Sequence, residues 1–599
     1  MSNAAARDRS SVEAEYVRRL DARRRERAVL DRRHGLYGAL RLLIAGSLLT
    51  LFVTTGLRHP ALAAAVIAAF AMAAVLHARL LGRRSKAAAA IEFYERGLRG
   101  IRDQWIGAGR PGEGYRPHDH LFADDLDLFG RGSLFEMLST TRTRAGEEVL
   151  SRWLLSPASG EDARARQAAV RELAELTDLR ERIAVTGDDI RTAVDAPVLR
   201  RWAAAPIALS GGPIRLALFL LGATTSGAVL TWFVTGRLGM VAAAAVLVQS
   251  AVAAWLKPRV TRVIESVEEP AHDLEVLADL LRILEQASFT SPSLRGLTGR
   301  LTRTKPASQE IAALARRVAL LSSRRNVMFA IPAAFMMWST QWAAAIEAWR
   351  SHAGRDIPLW LDVVGEFEAL VAVAEFAAEH PDHVYPDVVE GAPRFEARDL
   401  RHAALGASAV GNDIALAREG LALLVVSGSN MSGKSTWLRT IGTTVVLAGL
   451  GAPVRAAACR LSMVAIGAAI RVPDSLLDGK SRFFAEITRL KAILDLARNR
   501  QGAVLFLLDE ILGGTNSHDR QVGAEALVRG LVSTGAIGLV TTHDLAIGGI
   551  ADALGERAAN VHFADQFEGG VLHFDYRMRP GVVQTRNALA LMRSIGIEV

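Results

Sequence analysis

Four uncharged apolar runs, arranged as two closely spaced pairs, place the strongest constraint on how this chain folds. The runs are residues 42–57 and 61–76, followed by residues 216–236 and 238–256. A helix of about 20 apolar residues crosses a bilayer, and flanking residues can extend the shorter runs. The pattern therefore predicts two transmembrane helical hairpins, at 36–80 and 214–257.

Basic residues flank both predicted hairpins and indicate their orientation. Residues 1–35 are densely charged and lack a short apolar core with a small-residue cleavage site, so they predict a charged cytoplasmic helix and no cleaved signal peptide. By the positive-inside rule, both termini lie in the cytoplasm of a multi-pass cell (inner) membrane protein. The alternative for the first hairpin is that the Ala-rich stretch 61–78 is a buried helix of a soluble core.

Composition agrees with this arrangement and limits the classes of partner. Of the 599 residues, 50% are hydrophobic and the mean hydropathy is +0.20, which is typical of chains with membrane segments. A net charge of +8 favours anionic partners, either nucleic acid or lipid headgroups, although basic membrane flanks explain it equally well. Cys459 is the only cysteine, which excludes an intrachain disulfide and suits a reducing compartment.

The rest of the chain divides by its pattern into helical and mixed regions. Residues 81–119 predict a linker helix, and residues 120–206 and 258–390 repeat apolar positions at helical spacing. We interpret the further apolar run 327–345 as a soluble core helix and not as a fifth span. From residue 391 to 599, short β-like runs alternate with helical stretches, which predicts a largely parallel sheet.

A glycine-rich loop follows the first strong strand of the mixed region. The loop comprises Gly428, Ser429, Asn430, Met431, Ser432, Gly433, Lys434, Ser435 and Thr436. This spacing, G-x-x-x-x-G-K-[ST] between a strand and a helix, turns backbone N–H groups toward phosphates and adds the helix dipole. We expect Lys434 to reach the β- and γ-phosphates of ATP and Ser435 to hold Mg²⁺.

Acidic residues end a second apolar strand downstream of this loop. The strand at 504–508 leads into Asp509 and Glu510, and a third strand leads into His543. Downstream of a phosphate loop, such acids suit phosphoryl transfer: Asp509 would hold Mg²⁺ through its water shell, and Glu510 would activate water. His543 at its strand end could sense the γ-phosphate. The sequence therefore predicts one ATP-hydrolysing site.

Several stretches in one order resemble the MutS family of DNA mismatch repair ATPases. They are the loop 428–436 with its Asn-Met pair, the segment 479–486, the acidic segment 509–517, the segment 541–544, residues 400–402 and 412–413, the closing helical segment 576–597, and residues 125–157 in the helical region. The resemblance implies an ABC-like α/β P-loop ATPase domain at 391–599 and an all-α lever/core domain. It also implies that Ser481 acts in the partner's site, hence a homodimer with composite ATP sites.

The departures from the family pattern concern DNA recognition. Residues 1–119 leave no room for a mismatch-reading domain, and an inserted clamp domain is hard to find. Phe93-Tyr94-Glu95 fits the letters of the family's Phe-x-Glu mismatch wedge, but we interpret it as coincidence because it lies in a helix beside the membrane. Leu512-Gly513 stands where repair members carry Gly-Arg.

Three functions follow as alternatives. The first is a membrane-anchored, DNA-binding ATPase of the mismatch-repair type, in which ATP-driven dimer closure moves a helical lever. The second is a mechanochemical membrane ATPase that uses the same engine without recognising mismatched DNA. A transporter ATPase is disfavoured, because four spans are too few and the segment 479–486 lacks the Ser-Gly-Gly signature.

Overall fold

Helices form the chain up to residue 379, and two β-sheets with four helices follow. The computed structural model describes residues 8–55, 60–186, 196–209, 212–268, 271–301, 305–325, 327–406, 408–429, 431–471, 482–543, 545–568 and 571–583. The helices of the first part are α1 Arg9–Thr55, α2 Pro60–Ile101, α3 Leu134–Leu138, α4 Arg144–Leu155, α5 Gly160–Glu175, α6 Thr177–Ala184, α7 Ala196–Ala204, α8 Gly212–Thr235, α9 Gly239–Glu268, α10 Ala271–Gln286, α11 Pro292–Leu301, α12 Ala307–Ser322, α13 Val327–Phe335, α14 Trp338–Ala353 and α15 Ile357–Glu379. We call α3–α7 and α10–α15 the helical body.

Four of the described helices are long and apolar enough to cross a membrane, judged by length and composition. They are α1, α2, α8 and α9, and they contain the four apolar runs. With 47 and 42 residues, α1 and α2 are about 60–70 Å long, roughly twice the thickness of a hydrocarbon core. Their charged halves pair with each other beyond the apolar halves and bury Tyr16, Leu20 and Tyr94.

The sequence-based boundaries at residues 35, 80 and 257 all fall inside continuous helices. α1 crosses residue 35, α2 runs from the apolar run to Ile101, and α9 continues to Glu268. Alanine and arginine, which dominate these junctions, are good helix formers, so a change from apolar to charged composition does not end a helix. Each of these helices therefore joins an apolar segment to a charged one without a break.

The apolar run 327–345 forms two helices, where the sequence predicted one. α13 ends at Phe335 and α14 begins at Trp338, because Met337 takes the left-handed conformation, with φ of 49°. Pro332 lies inside α13 and weakens it by removing a backbone donor. With nine residues, α13 is too short to span a bilayer.

Helix α15 is the central element of the helical body. It is buried from Trp360 to Ala377 apart from single partly exposed positions, and it packs against α2, α3, α4, α5 and α11. Because it is apolar on nearly all sides, it must be surrounded by other helices. It also leads directly into the first strand of the following domain, so it connects the two parts of the molecule.

The second part is an α/β domain with two sheets. Its elements are β1 Asp387–Val389, β2 Arg394–Leu400, β3 Asn412–Ala417, β4 Leu423–Ser427, α16 Lys434–Gly449, β5 Ala458–Ser462, β6 Ala465–Ala469, α17 Arg482–Asn499, β7 Val504–Asp509, α18 Ser517–Ser533, β8 Ile537–Thr542, α19 Leu545–Leu554, β9 Ala558–Glu568 and β10 Val571–Pro580. The larger sheet has the order β10-β9-β4-β8-β7-β6 and is parallel except for β10. The smaller, mixed sheet has the order β1-β5-β2-β3.

The end of the chain differs from the predicted closing helix at 576–597. Residues 576–580 belong to β10, which pairs antiparallel with β9, and residues 584–597 lie outside the described residues. Alternation of polar and aromatic side chains in Phe574, Asp575 and Tyr576 suits a strand at a sheet edge. The fold as a whole is thus a helical body with four long apolar helices, joined to a P-loop type α/β domain.

Candidate nucleotide-binding site

The phosphate loop connects the end of β4 to the start of α16, as the sequence predicts. Gly428 and Gly433 have φ angles of +153° and +100°, a region that favours glycine. A Cβ atom on Gly428 would lie 2.8 Å from the Ser432 Oγ and 2.9 Å from the Phe563 carbonyl oxygen. The loop is therefore folded so tightly that only glycine fits at its first position.

Lys434 lies at the centre of this loop, with its side chain only 4% exposed. Its Nζ donates hydrogen bonds of 2.9 Å to the carbonyl oxygens of Gly428 and Ser429. It also lies 3.4 Å from Oε1 of Glu510. An ammonium group held by carbonyl oxygens and a carboxylate can exchange these partners for phosphate oxygens when a nucleotide binds.

Two hydroxyl groups of the loop suit a phosphate ligand. The Oγ atoms of Ser429 and Ser432 are buried and have no hydrogen-bond partner within the described part of the chain. Buried polar atoms normally have partners, so these donors fit an anionic group in the loop. Met431 is 83% exposed at the loop tip, whereas Asn430 lies outside the described residues.

The acidic strand end lies beside the loop, although β8 separates β7 from β4 in the sheet. The Thr541 hydroxyl donates to Asp509 and accepts a 3.1 Å hydrogen bond from the Glu510 backbone N–H. Glu510, with φ of 46°, turns away from the strand so that its carboxylate lies between two nitrogen-bearing side chains. These are Lys434 and His543, whose Nδ1 lies 3.5 Å from Oε2 of Glu510.

The predicted Mg²⁺ ligands lie in two elements that contact each other, α16 and β7. Ser435 is in the first turn of α16, and Asp509 ends β7. Within the described residues, no group of three or more His, Cys, Asp or Glu side chains is placed to hold a metal ion. This fits Mg²⁺, which usually takes one or two protein ligands together with substrate phosphates and water.

Sequence reasoning missed the contact between β10 and the loop. The ring of Tyr576 lies against the loop, 3.1 Å from where a Cβ on Gly433 would be. Asn412 fixes this arrangement, because its side chain donates to the Tyr576 carbonyl at 3.0 Å and accepts from the Met578 N–H at 2.7 Å. Asn412 and Tyr576 both lie in segments that resemble the family, but 164 residues separate them, and nothing in the sequence indicates that they meet.

The segment 479–486 is only partly described. Ser481 lies outside the described residues, so its predicted action in a partner's site stays a prediction. Glu486, in the first turns of α17, accepts a hydrogen bond from the backbone N–H of Leu512. This bond ties α17 to the segment that follows Glu510.

Asp125, which precedes α3, contacts both flanks of the segment 472–481. Asp125, fully buried, accepts 2.7 Å hydrogen bonds from the backbone N–H groups of Ile470 and Arg471 and forms an ion pair with Arg489. Burial raises the pKa of Asp125, and the Arg489 charge opposes that shift. Asp125 thus connects the segment before α3 to the end of β6 and to α17.

Comparison with known proteins identifies the domain that carries this site. The family described as MutS domain V matches residues 424–598, which include the phosphate loop, the acidic strand end and His543. The chain is thus similar to the MutS family. Within it, the match covers the C-terminal domain, and the apolar helices lie outside the matched residues.

The relatives are named as DNA mismatch repair proteins. "DNA mismatch repair protein MutS 2" of Halobacterium salinarum is 32% identical over 234 residues, which are 38% of this chain and 26% of the relative. "DNA mismatch repair protein MutS" of Thermus thermophilus is 32% identical over 240 residues, or 40% and 27% of the two chains. The protein of that name from Methanosarcina acetivorans is 28% identical over 255 residues, or 41% and 28%. The chain spans about a quarter of the length of these curated relatives.

The three residues that resemble a mismatch wedge, Phe93-Tyr94-Glu95, lie in a helix–helix contact. Phe93 and Tyr94 are 9% and 0% exposed in α2, and the Tyr94 hydroxyl donates to Glu181. A wedge must present an exposed aromatic ring to a base pair. At this position neither ring is available for stacking.

Proposed function

We propose that this chain hydrolyses ATP at the site formed by the phosphate loop, Asp509 and Glu510. The observation that carries the proposal is the convergence of Lys434 and His543 on the Glu510 carboxylate, at 3.4 and 3.5 Å. Three side chains from three strand ends meet beside a loop whose glycines and unpartnered hydroxyls suit phosphate. This is the set of groups that in-line attack of water on a γ-phosphate requires.

Each residue has a separate part in the reaction. Ser435 and Asp509 would hold Mg²⁺, which would supply charge neutralisation on the phosphates. Lys434 exchanges its contacts with the loop and with Glu510 for phosphate oxygens. Glu510, released from that ion pair, orients a water molecule and accepts its proton, while His543 keeps the carboxylate turned toward the γ-phosphate. Ser481 of a second copy closes the site.

The broader function is that of a membrane-anchored, DNA-binding ATPase acting as a homodimer. The names of the relatives and the net charge of +8 support DNA as a partner. The four long apolar helices support anchoring in the cell membrane, with the ATPase domain in the cytoplasm. ATP-driven closure of the dimer moves α15, and with it the helical body.

A second function is favoured by the way the apolar helices meet the helical body. α2 packs on α15, and the Tyr94 contact ties α2 to α6. In this alternative, movement of α15 is transmitted to the membrane helices, and DNA has no part. The two functions share the ATPase and differ in what stimulates it.

The test is ATP hydrolysis by detergent-purified protein, with and without homoduplex, mismatched and branched DNA at two salt concentrations. Salt-sensitive stimulation or retention by DNA is expected, because phosphate contacts weaken as salt rises. Hydrolysis that ignores every DNA but responds to lipid would contradict the first function and support the second.

A pair of variants tests the assignment of the catalytic base. Glu510→Gln should still bind ATP but lower kcat by about 100-fold or more, within the range for loss of a general base. Glu556→Gln, an exposed position of the same domain, is the matched control. Hydrolysis by Glu510→Gln at the parental rate would show that another group activates water.

A further inference from the structure

A groove runs beside the second apolar hairpin, where α8 and α9 meet the helical body. It consists of two cavities of about 820 and 370 Å³ that share Ala208 and Glu347. We call it the hairpin groove. The larger cavity falls within the range of about 300–1,000 Å³ that is usual for ligand pockets.

The wall of the larger cavity is apolar and continues the membrane-facing surface of the hairpin. It is formed by Leu209, Ile214, Leu218, Val252, Trp255 and Leu256. Trp255 is 66% exposed, and on the outer surface beside the groove Leu216 is 63% exposed. Apolar side chains left open to this extent at the end of a candidate span suit contact with hydrocarbon.

The rim of the hairpin groove is basic. Four arginines and one glutamate line the two cavities, so the described lining carries a net charge of about +3. The guanidinium group of Arg259 lies 4.8 Å from the centre of the Trp255 ring. An arginine stacked on a tryptophan at the end of an apolar helix is the arrangement that proteins use at the headgroup level of a bilayer.

The floor of the groove is a built polar structure. Glu347 and Arg350 of α14 form a buried ion pair of 2.7 Å. Arg350 also donates to the carbonyl oxygens of Trp202, Ala205 and Pro206, and Glu347 accepts from the Ala208 N–H. Glu347 and Arg350 neutralise each other, so the net charge of about +3 comes from Arg201, Arg259 and Arg262.

The combination of wall and rim selects one class of ligand. A small soluble anion would leave the apolar wall without a contact, and an uncharged lipid would leave the arginines without a counter-charge. The cavity of similar volume beside α2 differs, because five arginines and four glutamates line it and its charges nearly cancel. An anionic amphiphile is the ligand whose charge and apolar area match the hairpin groove.

We propose that the hairpin groove binds an anionic phospholipid, with its phosphate at Arg259 and Arg262 and an acyl chain along Leu218, Val252 and Trp255. This site rests on the proposed membrane placement of α8 and α9. It assigns to the second hairpin a lipid preference in addition to an anchoring function.

The experiment uses the full chain in vesicles that contain either brominated phosphatidylglycerol or brominated phosphatidylcholine. Bromine quenches nearby tryptophan fluorescence, and the difference between the parent and Trp255→Phe isolates the signal from Trp255. The parent should prefer the anionic lipid by about threefold or more, because basic residues near the membrane surface attract anionic lipid. Arg259→Ala with Arg262→Ala should reduce this preference to about one.

Two controls separate the groove from general electrostatic attraction. Arg237→Ala removes a charge at the opposite end of the same hairpin and should leave the preference unchanged. Arg259→Lys with Arg262→Lys keeps both charges and should retain most of the preference. Equal quenching by both lipids in the parent, or an unchanged preference in the double alanine variant, would overturn the proposal.

The membrane placement is tested in the same samples by flotation with vesicles. If the protein fails to float and neither brominated lipid quenches it, the membrane placement is wrong and the lipid site falls with it. If the protein floats and is quenched equally by both lipids, the membrane placement stands and only the lipid site is overturned.

Discussion

The α/β domain and the helical body each hold a glutamate through specific polar contacts, but in opposite surroundings. Glu510 is one-third exposed at a strand end, between Lys434 and His543. Glu368 is buried in α15, where it accepts hydrogen bonds from the backbone N–H groups of Arg142 and Thr143. Burial raises the pKa of Glu368 to about 7. The first carboxylate can be reached by a ligand, whereas the second fastens a loop to a helix.

This difference predicts which measurement each region controls. A charge that faces a ligand at the end of a strand costs stability to hold there and adds little to folding, so its removal should affect turnover alone. A carboxylate buried among helices satisfies donors that would otherwise be unpaired, so its removal should affect stability. Variants in each region test whether ligand-facing residues control turnover and buried residues control stability.

Lys434→Ala should produce the largest effect, and on activity alone. It removes the only lysine of the phosphate loop, so we expect ATP hydrolysis to fall by about 100-fold or more, with nucleotide binding lost. Equilibrium binding of a fluorescent ATP analogue and steady-state hydrolysis measure the change. Lys491→Ala, an exposed position in α17, is the control. A large fall in melting temperature for Lys434→Ala would contradict the division between the regions.

Asp125→Asn should affect both measurements, because Asp125 lies where the two regions meet. The variant keeps the size of the side chain but leaves Arg489 without its carboxylate, and breaking such a buried pair costs about 3–5 kcal/mol. Turnover should fall as well, since the backbone groups that Asp125 holds flank the segment with Ser481.

The neighbouring residue supplies the control for this variant. Asp124 pairs with Arg116 on the surface, where an ion pair contributes about 0–1 kcal/mol. Thermal unfolding and ATP hydrolysis of Asp124→Asn should therefore match the parent. A stability loss for Asp125→Asn with unchanged kcat would show that the junction is structural only.

The sequence predicts the parts of this molecule that depend on neighbours along the chain. The phosphate loop, Asp509 and Glu510 are recognisable because their spacing is fixed by one strand, one turn and one helix. The apolar runs are recognisable because each is an unbroken uncharged stretch, and all four lie in long helices. Both predictions rest on local patterns that need no knowledge of the tertiary fold.

The parts that were missed depend on contacts across long separations or on single backbone angles. Asn412 and Tyr576 meet at the loop although they are 164 residues apart, and Asp125 reaches Arg471 although they are 346 residues apart. The left-handed Met337 divides an apolar run that has the composition of one helix. Such features are set by tertiary packing, which overrides local propensity.

Gly97→Ala should destabilise the contact between α1 and α2. An added Cβ on Gly97 would press on the Tyr16 ring, with the Cδ2 atom at 2.9 Å. Overpacking of this kind costs about 1–3 kcal/mol, so the melting temperature should fall while the ATP-binding affinity is unchanged.

Gly82→Ala is the matched control on the same helix. No atom outside the helix lies within 4 Å of its Cβ position, so the change should leave stability equal or raise it by about 0.5–1 kcal/mol. If both alanine variants melted alike, close packing between α1 and α2 at Gly97 would not be a source of stability.

The smallest expected effect is a change in the pH dependence of stability at Glu379, whose carboxylate lies against Gly97 and Gly100. Burial and then the charge of Glu375 raise the pKa of Glu379 to about 8, against the opposing charges of Arg96 and Arg180.

The sign of the effect follows from which state holds the proton. Between pH of about 4.5 and 8, folded Glu379 keeps a proton that the unfolded chain has lost. The contribution of Glu379 to the free energy of unfolding is therefore complete below pH 4.5 and is lost as pH rises through 8. The loss is at most about 1.4 kcal/mol per pH unit. Glu379→Gln should melt with a weaker dependence on pH between 6 and 8.5, although not with none, because Glu368 and Glu375 keep their raised pKa values. Glu390→Gln, at an exposed surface position, is the control and should show the parental dependence of melting temperature on pH. If Glu379→Gln also showed the parental dependence, the Glu379 carboxylate would be solvent-accessible, like that of Glu510.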